Sequence, residues 1–198
     1  MSGPKLLTVE GIRQALAALS GELALDGKQG ELVIVGGAAI ALTLGGREAT
    51  RDVDGYISRP EASAMRAAAE RVAARLGLPT DWLNDGAKGY MLKVDLGPVV
   101  FESESLLVYS ASNLQLLAMK LWAWRDDQDF EDAARLLEAV LASTPMLTRE
   151  ELWTKSWSNS SRLLNASNQA MLWRTCGYRS PHQVHPRWPP ARGAPVGC

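Results

Sequence analysis

The stretch from Glu31 to Gly46, ELVIVGGAAIALTLGG, constrains this chain more than any other part of it. Glu31 to Val35 is short, β-branched and apolar on both faces, which predicts a central strand covered on either side. Gly36 and Gly37 end that strand. Ala38 to Leu44 then reads as a short helix, apolar all round, stopped by Gly45-Gly46.

The elements on either side follow from the same kind of reading. Val9, Ile12, Leu16, Leu19 and Leu23 recur at helical spacing, predicting an amphipathic helix from Thr8 to about Leu25, broken by Gly27 and Gly30. A polar link, GREATR, leads to a strand from Asp52 to Ile57. Pro60 opens a long helix to about Leu76, with Gly77 as its stop. Leu78 to Lys93 is loop-like. Val99–Phe101 and Leu106–Tyr109 are two short strands that suit a hairpin. Ser112 is placed to cap a helix from Leu114 to Arg125, a second helix covers about Phe130 to Leu141, and Thr148 with Glu151 forms a capping box before one more helix start. This order predicts an α/β (α+β) fold, a small mixed β-sheet core with flanking helices and a helical C-terminal part. The expected divisions are an N-terminal helix (1–30), a core (31–110), a helical part (111–155) and an irregular tail (156–198).

Composition excludes several classes. Of 198 residues, 46% are hydrophobic and 22% charged, enough apolar material for a core, so the chain is globular and not disordered. The formal net charge of −1 offers no global attraction for nucleic acid or acidic membranes. Cys176 and Cys198 both lie in the tail, which leaves the main part without a disulfide or a cysteine zinc site. There is no signal-peptide pattern and no apolar run of about 18 residues, so the expected setting is cytoplasmic, with no membrane contact.

The chemistry concentrates around the glycine pair. A strand ending in Gly36-Gly37 at a helix start leaves backbone N–H groups free, lets a phosphate approach closely, and favours negative charge. Asp52 and Asp54 stand two residues apart on one strand and so share a face. Side by side, two carboxylates repel. A divalent cation removes that penalty, and hard Mg²⁺ with oxygen ligands and substrate phosphates is the natural candidate. An isolated Asp-x-Asp is ordinarily a solvated strand face. The glycine turn just before it is what sharpens the reading.

The whole segment VIVGGAAIALTLGGREATRDVDGYI resembles the signature of the DNA polymerase β-like nucleotidyltransferases, in which a Gly-Gly or Gly-Ser turn precedes a helix and then an Asp-x-Asp strand. The form carried by Arg47, Thr50, Asp52 and Asp54 is similar to the branch of AbiEii-type abortive-infection toxins and their bacterial relatives. LLAMKLWAWRDDQDFEDAARLL resembles a second block of that branch, with Lys120, Arg125, Asp129 and Asp132 at its charged positions. The resemblance implies Mg²⁺ held by Asp52 and Asp54, and nucleotide contacts from Gly36, Gly37, Arg47, Thr50, Lys120, Arg125 and Asp129, with Lys120 steadying a triphosphate. It implies transfer of a nucleoside monophosphate from a nucleoside triphosphate to a hydroxyl on RNA or protein, and an antitoxin as partner. Physically, Lys120 among Leu116, Leu117, Met119 and Leu121 needs a reason, either such a contact or a snorkelling stem. For Arg125 and Asp129 the plain alternative is an ion pair across a helix–helix turn. In the loop DWLNDGAKGY, Asp81, Asn84 and Asp85 are candidates for lining the pocket, and Trp82 is expected to pack.

Such enzymes commonly add a third carboxylate from a neighbouring strand. Glu102, Glu104 and Asp95 are the candidates; Glu102, directly after the apolar strand VVF, is preferred by position and is taken as catalytic. Without it, the alternative is a catalytically inactive nucleotidyltransferase-fold protein that binds or regulates. The resemblance stops near Glu151. Similar proteins continue with a Glu-Asp-Leu-Trp-like helix, and with suitable codons the tail's Trp-Arg-Thr-Cys-Gly reads one register over as that sequence. A shifted reading frame and an ordinary disordered tail are thus both open.

Overall fold

Thr8 ends one short strand and caps the first helix. In the computed structural model, which describes residues 6–154 apart from 46, 87–92, 124, 149 and 153, β1 is Leu7–Thr8 and α1 is Val9–Leu25. The Thr8 hydroxyl accepts a hydrogen bond from the Gly11 N–H at 3.1 Å, satisfying one of the donors that a helix start leaves open. Ile12, Leu16, Leu19 and Leu23 are fully buried, so the face read from helical spacing is the face that packs.

The central strand, β2, is Gly30–Val35. Leu32, Val33, Ile34 and Val35 are all buried, which for a strand with alternating side chains means that both faces are covered. The next helix, α2, is Gly36–Thr43 and follows without a loop. It starts two residues earlier than its apolar pattern suggested, because the glycine pair forms its first turn. β3 (Ala49–Thr50) pairs antiparallel with β1 inside what was read as a polar link. β4 is Val53–Arg59, so Asp52 immediately precedes it. α3 is Ala62–Leu76; Pro60 lies just ahead of it, Glu61 is its N-cap, and Gly77 closes it in the left-handed conformation as expected.

The loop after α3 contains a two-residue strand, β5 (Leu83–Asn84), that no periodicity could announce. β6 (Leu96–Glu102) and β7 (Leu106–Ala111) form the expected antiparallel pair. Ser112 caps α4 (Asn113–Trp122), which stops three residues short of the expected Arg125. α5 is Asp127–Ser143 and starts earlier than expected, because Asp126 accepts a hydrogen bond from the Asp129 N–H and serves as its cap. The Thr148–Glu151 capping box is present, with Glu151 N donating to Thr148 Oγ1 at 3.2 Å and Thr148 N to Glu151 Oε2 at 2.8 Å.

The fold is a mixed α/β arrangement around a five-stranded sheet in the order β5-β4-β2-β7-β6, beside the small β1-β3 pair. β2 runs parallel to β7 and antiparallel to β4, and β4 runs parallel to β5. One apolar cluster joins α1, the sheet, α2, α3, α4 and α5 and reaches Leu147 and Leu152. Among the described residues no helix is long and apolar enough to cross a membrane. The tail from 156 onward, with both of its readings, lies outside the described residues, as do Gly46 and the AKGY half of the loop.

Candidate active site

The antiparallel register of β2 and β4 sets Val35 opposite Asp54. The carboxyl end of β2, the start of α2 and the start of β4 therefore meet at one end of the sheet. Gly36 has φ +65°, a conformation that costs an L side chain about 1–2 kcal/mol. A Cβ there would also sit 3.4 Å from Asp54 Oδ2. At Gly37 the need is space: a Cβ would lie 2.9 Å from the Arg47 guanidinium and 2.9 Å from Thr50 Oγ1. The glycine pair thus fits between Asp54 on one side and Arg47 with Thr50 on the other.

Asn84 completes the group. Its register partner is Asp54, and its Nδ2 donates to Asp52 Oδ2 at 3.1 Å. Its Oδ1 accepts from the Gly86 N–H at 3.0 Å, which fixes which end of the amide faces the aspartates. Burial pushes the Asp54 carboxyl above the usual carboxylate range, and the charge of Asp52 adds to that. The Asn84 hydrogen bond and the charge of Arg125 oppose it without cancelling it. The two carboxylates thus stand close enough to repel one another, in a setting that already penalises charge on Asp54. Two carboxylates are what Mg²⁺ commonly takes from a protein, the other positions being filled by water and substrate phosphates, so the donor set fits that ion.

Behind this group lies a chain of ion pairs. Arg47 donates from Nη1 to Asp132 Oδ2 at 2.6 Å, and Lys120 Nζ lies 2.8 Å from the same oxygen and 2.5 Å from Asp129 Oδ1. Arg125 reaches Asp129 Oδ2 through its backbone N–H at 3.0 Å and its Nε at 3.3 Å. Burial raises the Asp129 carboxyl, but the hydrogen bond and charge of Lys120, with Arg125, outweigh it and hold it below the usual range. Asp132 is fully buried, whereas 78% of the Arg125 side chain is exposed.

Several expectations are revised by this geometry. Glu102 pairs with Leu107, and Leu107 with Glu31, so it stands at the opposite end of the sheet from Val35 and Asp54. Four residues of strand separate the two levels, about 13 Å, which no shared cation can bridge. Glu102 is therefore not the third carboxylate, and Glu104, two residues further on, is at the same wrong end. Asp95 lies at the right end, beside Leu96 and its partner Ala111, but β2 and β7 stand between β6 and β4, and its Oδ2 is taken by the Ser112 hydroxyl at 2.7 Å. It lines a separate cavity of about 290 Å³ with Ser112, Asn113 and Val140. Lys120, expected at a triphosphate, has Asp129 and Asp132 as its partners, which is reason enough for a lysine among leucines; Asp129 is correspondingly a support for Lys120 and Arg125. Asp85 pairs with Arg66, Asp81 is exposed, and Trp82 packs with its Nε1 bonded to the Ala69 carbonyl at 2.9 Å.

Two residues singled out in the sequence take contacts that the sequence did not specify. Asp132 is the hub that joins Arg47 to Lys120, and only its spacing of three from Asp129 hinted at a shared face. Of the three loop residues expected to line the pocket, Asn84 is the one with a hydrogen bond to Asp52. Compared with family models, curated proteins and solved structures, the chain gives no match.

Proposed function

We propose that this chain is a Mg²⁺-dependent nucleotidyltransferase that moves a nucleoside monophosphate from a nucleoside triphosphate to a hydroxyl acceptor. The observation that carries this reading is Gly36, at a helix start, lying beside Asp54, with Asp52 close enough to repel the Asp54 carboxylate. A helix start favours phosphate and a carboxylate pair favours a cation, and a nucleotide–metal complex is a ligand that supplies both.

In this reading Gly36 and Gly37 let the phosphates approach the first turn of α2, and Asp52 and Asp54 hold the cation against them. Bound there, Mg²⁺ would stabilise negative charge on the reacting phosphate. Arg125 faces the phosphates with its exposed guanidinium, while Arg47 and Thr50 fix the far side of the glycine turn. Lys120, Asp129 and Asp132 support both arginines. The acceptor oxygen forms its bond to the α-phosphorus as the bond from that phosphorus to the α–β bridging oxygen breaks; pyrophosphate departs with the electron pair, and the hydroxyl proton passes to water. The acceptor class, RNA or protein, and a toxin–antitoxin setting rest on the resemblance to AbiEii-type proteins.

Calorimetry with each nucleoside triphosphate, with and without Mg²⁺, tests the reading. Binding that requires Mg²⁺ and disappears in Asp52→Ala supports it; binding indifferent to both contradicts it. A second reading, a nucleotide-binding regulator without activity, is favoured by the strand beside Asp54 presenting Asn84, an amide and not a carboxylate, in register with it. Transfer of label from an α-labelled nucleotide separates the two.

A further inference from the structure

We infer that Asn84 is a positioning residue that makes this a one-cation centre. The inference rests on the nucleotide-and-metal reading of Asp52 and Asp54. Asn84 is the β5 residue in register with Asp54, and its amide nitrogen points at Asp52 Oδ2 from 3.1 Å. That nitrogen is a donor with no lone pair to offer a cation. The amide oxygen, which does have lone pairs, is turned away and receives the Gly86 N–H at 3.0 Å. The side chain thus ties down one carboxylate oxygen of Asp52 while contributing no ligand.

Among the described residues no third carboxylate joins Asp52 and Asp54 in a group that could hold a metal ion. All 22 aspartates and glutamates precede residue 152, and every one lies among the described residues. Glu102 and Glu104 are at the far end of the sheet, Asp85 is bound to Arg66, and Asp95 is bound to Ser112. Two carboxylates and substrate phosphates suffice for one Mg²⁺, whereas a pair of cations about 4 Å apart calls for a further bridging or terminal carboxylate. Asn84 thereby sets the number of cations, and the acceptor oxygen reacts without a second cation of its own.

The test counts Mn²⁺, standing in for Mg²⁺, by electron paramagnetic resonance with the full chain and a non-hydrolysable nucleoside triphosphate analogue. Wild type is expected to bind one ion per chain. Asn84→Asp, which places a carboxylate in the same position, is expected to bind two. Asn84→Ala should keep one ion but bind it roughly tenfold more weakly, the usual effect of losing a residue that orients a ligand. Thermal melts of each variant establish that it is folded. Two ions on wild type overturn this inference and leave the nucleotidyltransferase reading standing; no ion on wild type overturns both. One ion on Asn84→Asp, or unchanged affinity in Asn84→Ala, overturns the role given to Asn84.

Discussion

Arg47 and Asp132 are 85 residues apart in the chain and meet at 2.6 Å. This pair fastens α5 to the turn that opens α2, because the same guanidinium lies over Gly37. Any side chain at Gly37 must displace Arg47 or Thr50, each 2.9 Å from the position of its Cβ. Gly37→Ala should therefore destabilise the protein by about 1–3 kcal/mol, the range for overpacking a filled site. It should also weaken nucleotide binding, measurable by denaturant melts and calorimetry on the same sample.

Lys120→Met removes the cation that Asp129 and Asp132 share. Taking one partner from a buried ion-pair group costs about 3–5 kcal/mol. Since the folded Asp129 carboxyl lies below its usual range, its contribution to stability is complete above the unfolded value near 4 and is lost as pH falls through the folded value. Without Lys120 that carboxyl titrates higher, so acid unfolding of the variant should begin at higher pH than in wild type. Unchanged stability and an unchanged acid limb would contradict the supporting role of this lysine.

Arg125→Ala should behave in the opposite way. With 78% of its side chain exposed, its tie to Asp129 is a surface interaction, and stability should change by less than about 1 kcal/mol. Nucleotide affinity should drop several-fold. The Asp54 carboxyl should move further up, because Arg125 is one of the charges that holds it down. Nuclear magnetic resonance titration of that carboxyl checks the last point.

Asp54→Asn should raise stability at neutral pH, by about 1 kcal/mol, while abolishing cation binding. The folded Asp54 carboxyl lies above its unfolded value, so its ionised form weakens the fold, and that cost appears as pH rises from the unfolded through the folded value. The gain in the variant should accordingly shrink as pH is lowered toward 4. In wild type, added Mg²⁺ should raise the melting temperature, and the variant should not respond.

Much of this arrangement was written in local patterns. ELVIV predicted a doubly covered strand, and the recurrence from Val9 to Leu23 predicted α1; the buried faces agree. Gly36-Gly37 and Asp52-Val53-Asp54 were legible because backbone conformation and strand alternation act over one or two residues. β3 and β5, of two residues each, were not, since pairing alone defines them and no periodicity fits in so short a run. The misassigned Glu102 had a similar cause. Its place after VVF looked favourable, yet the end of the sheet it occupies is decided by register with β7 and, through it, β2. Lys120 could be seen to need a partner; which partner depended on how α4 meets α5.

The most direct test of the central claim is transfer of label from an α-labelled nucleoside triphosphate, with Mg²⁺ and total cellular RNA and protein, comparing wild type with Asp52→Ala/Asp54→Ala. The account predicts label on an RNA or protein acceptor with wild type and none with the double variant. Transfer that survives loss of both aspartates, or its absence from a folded wild type that binds nucleotide with Mg²⁺, would contradict it.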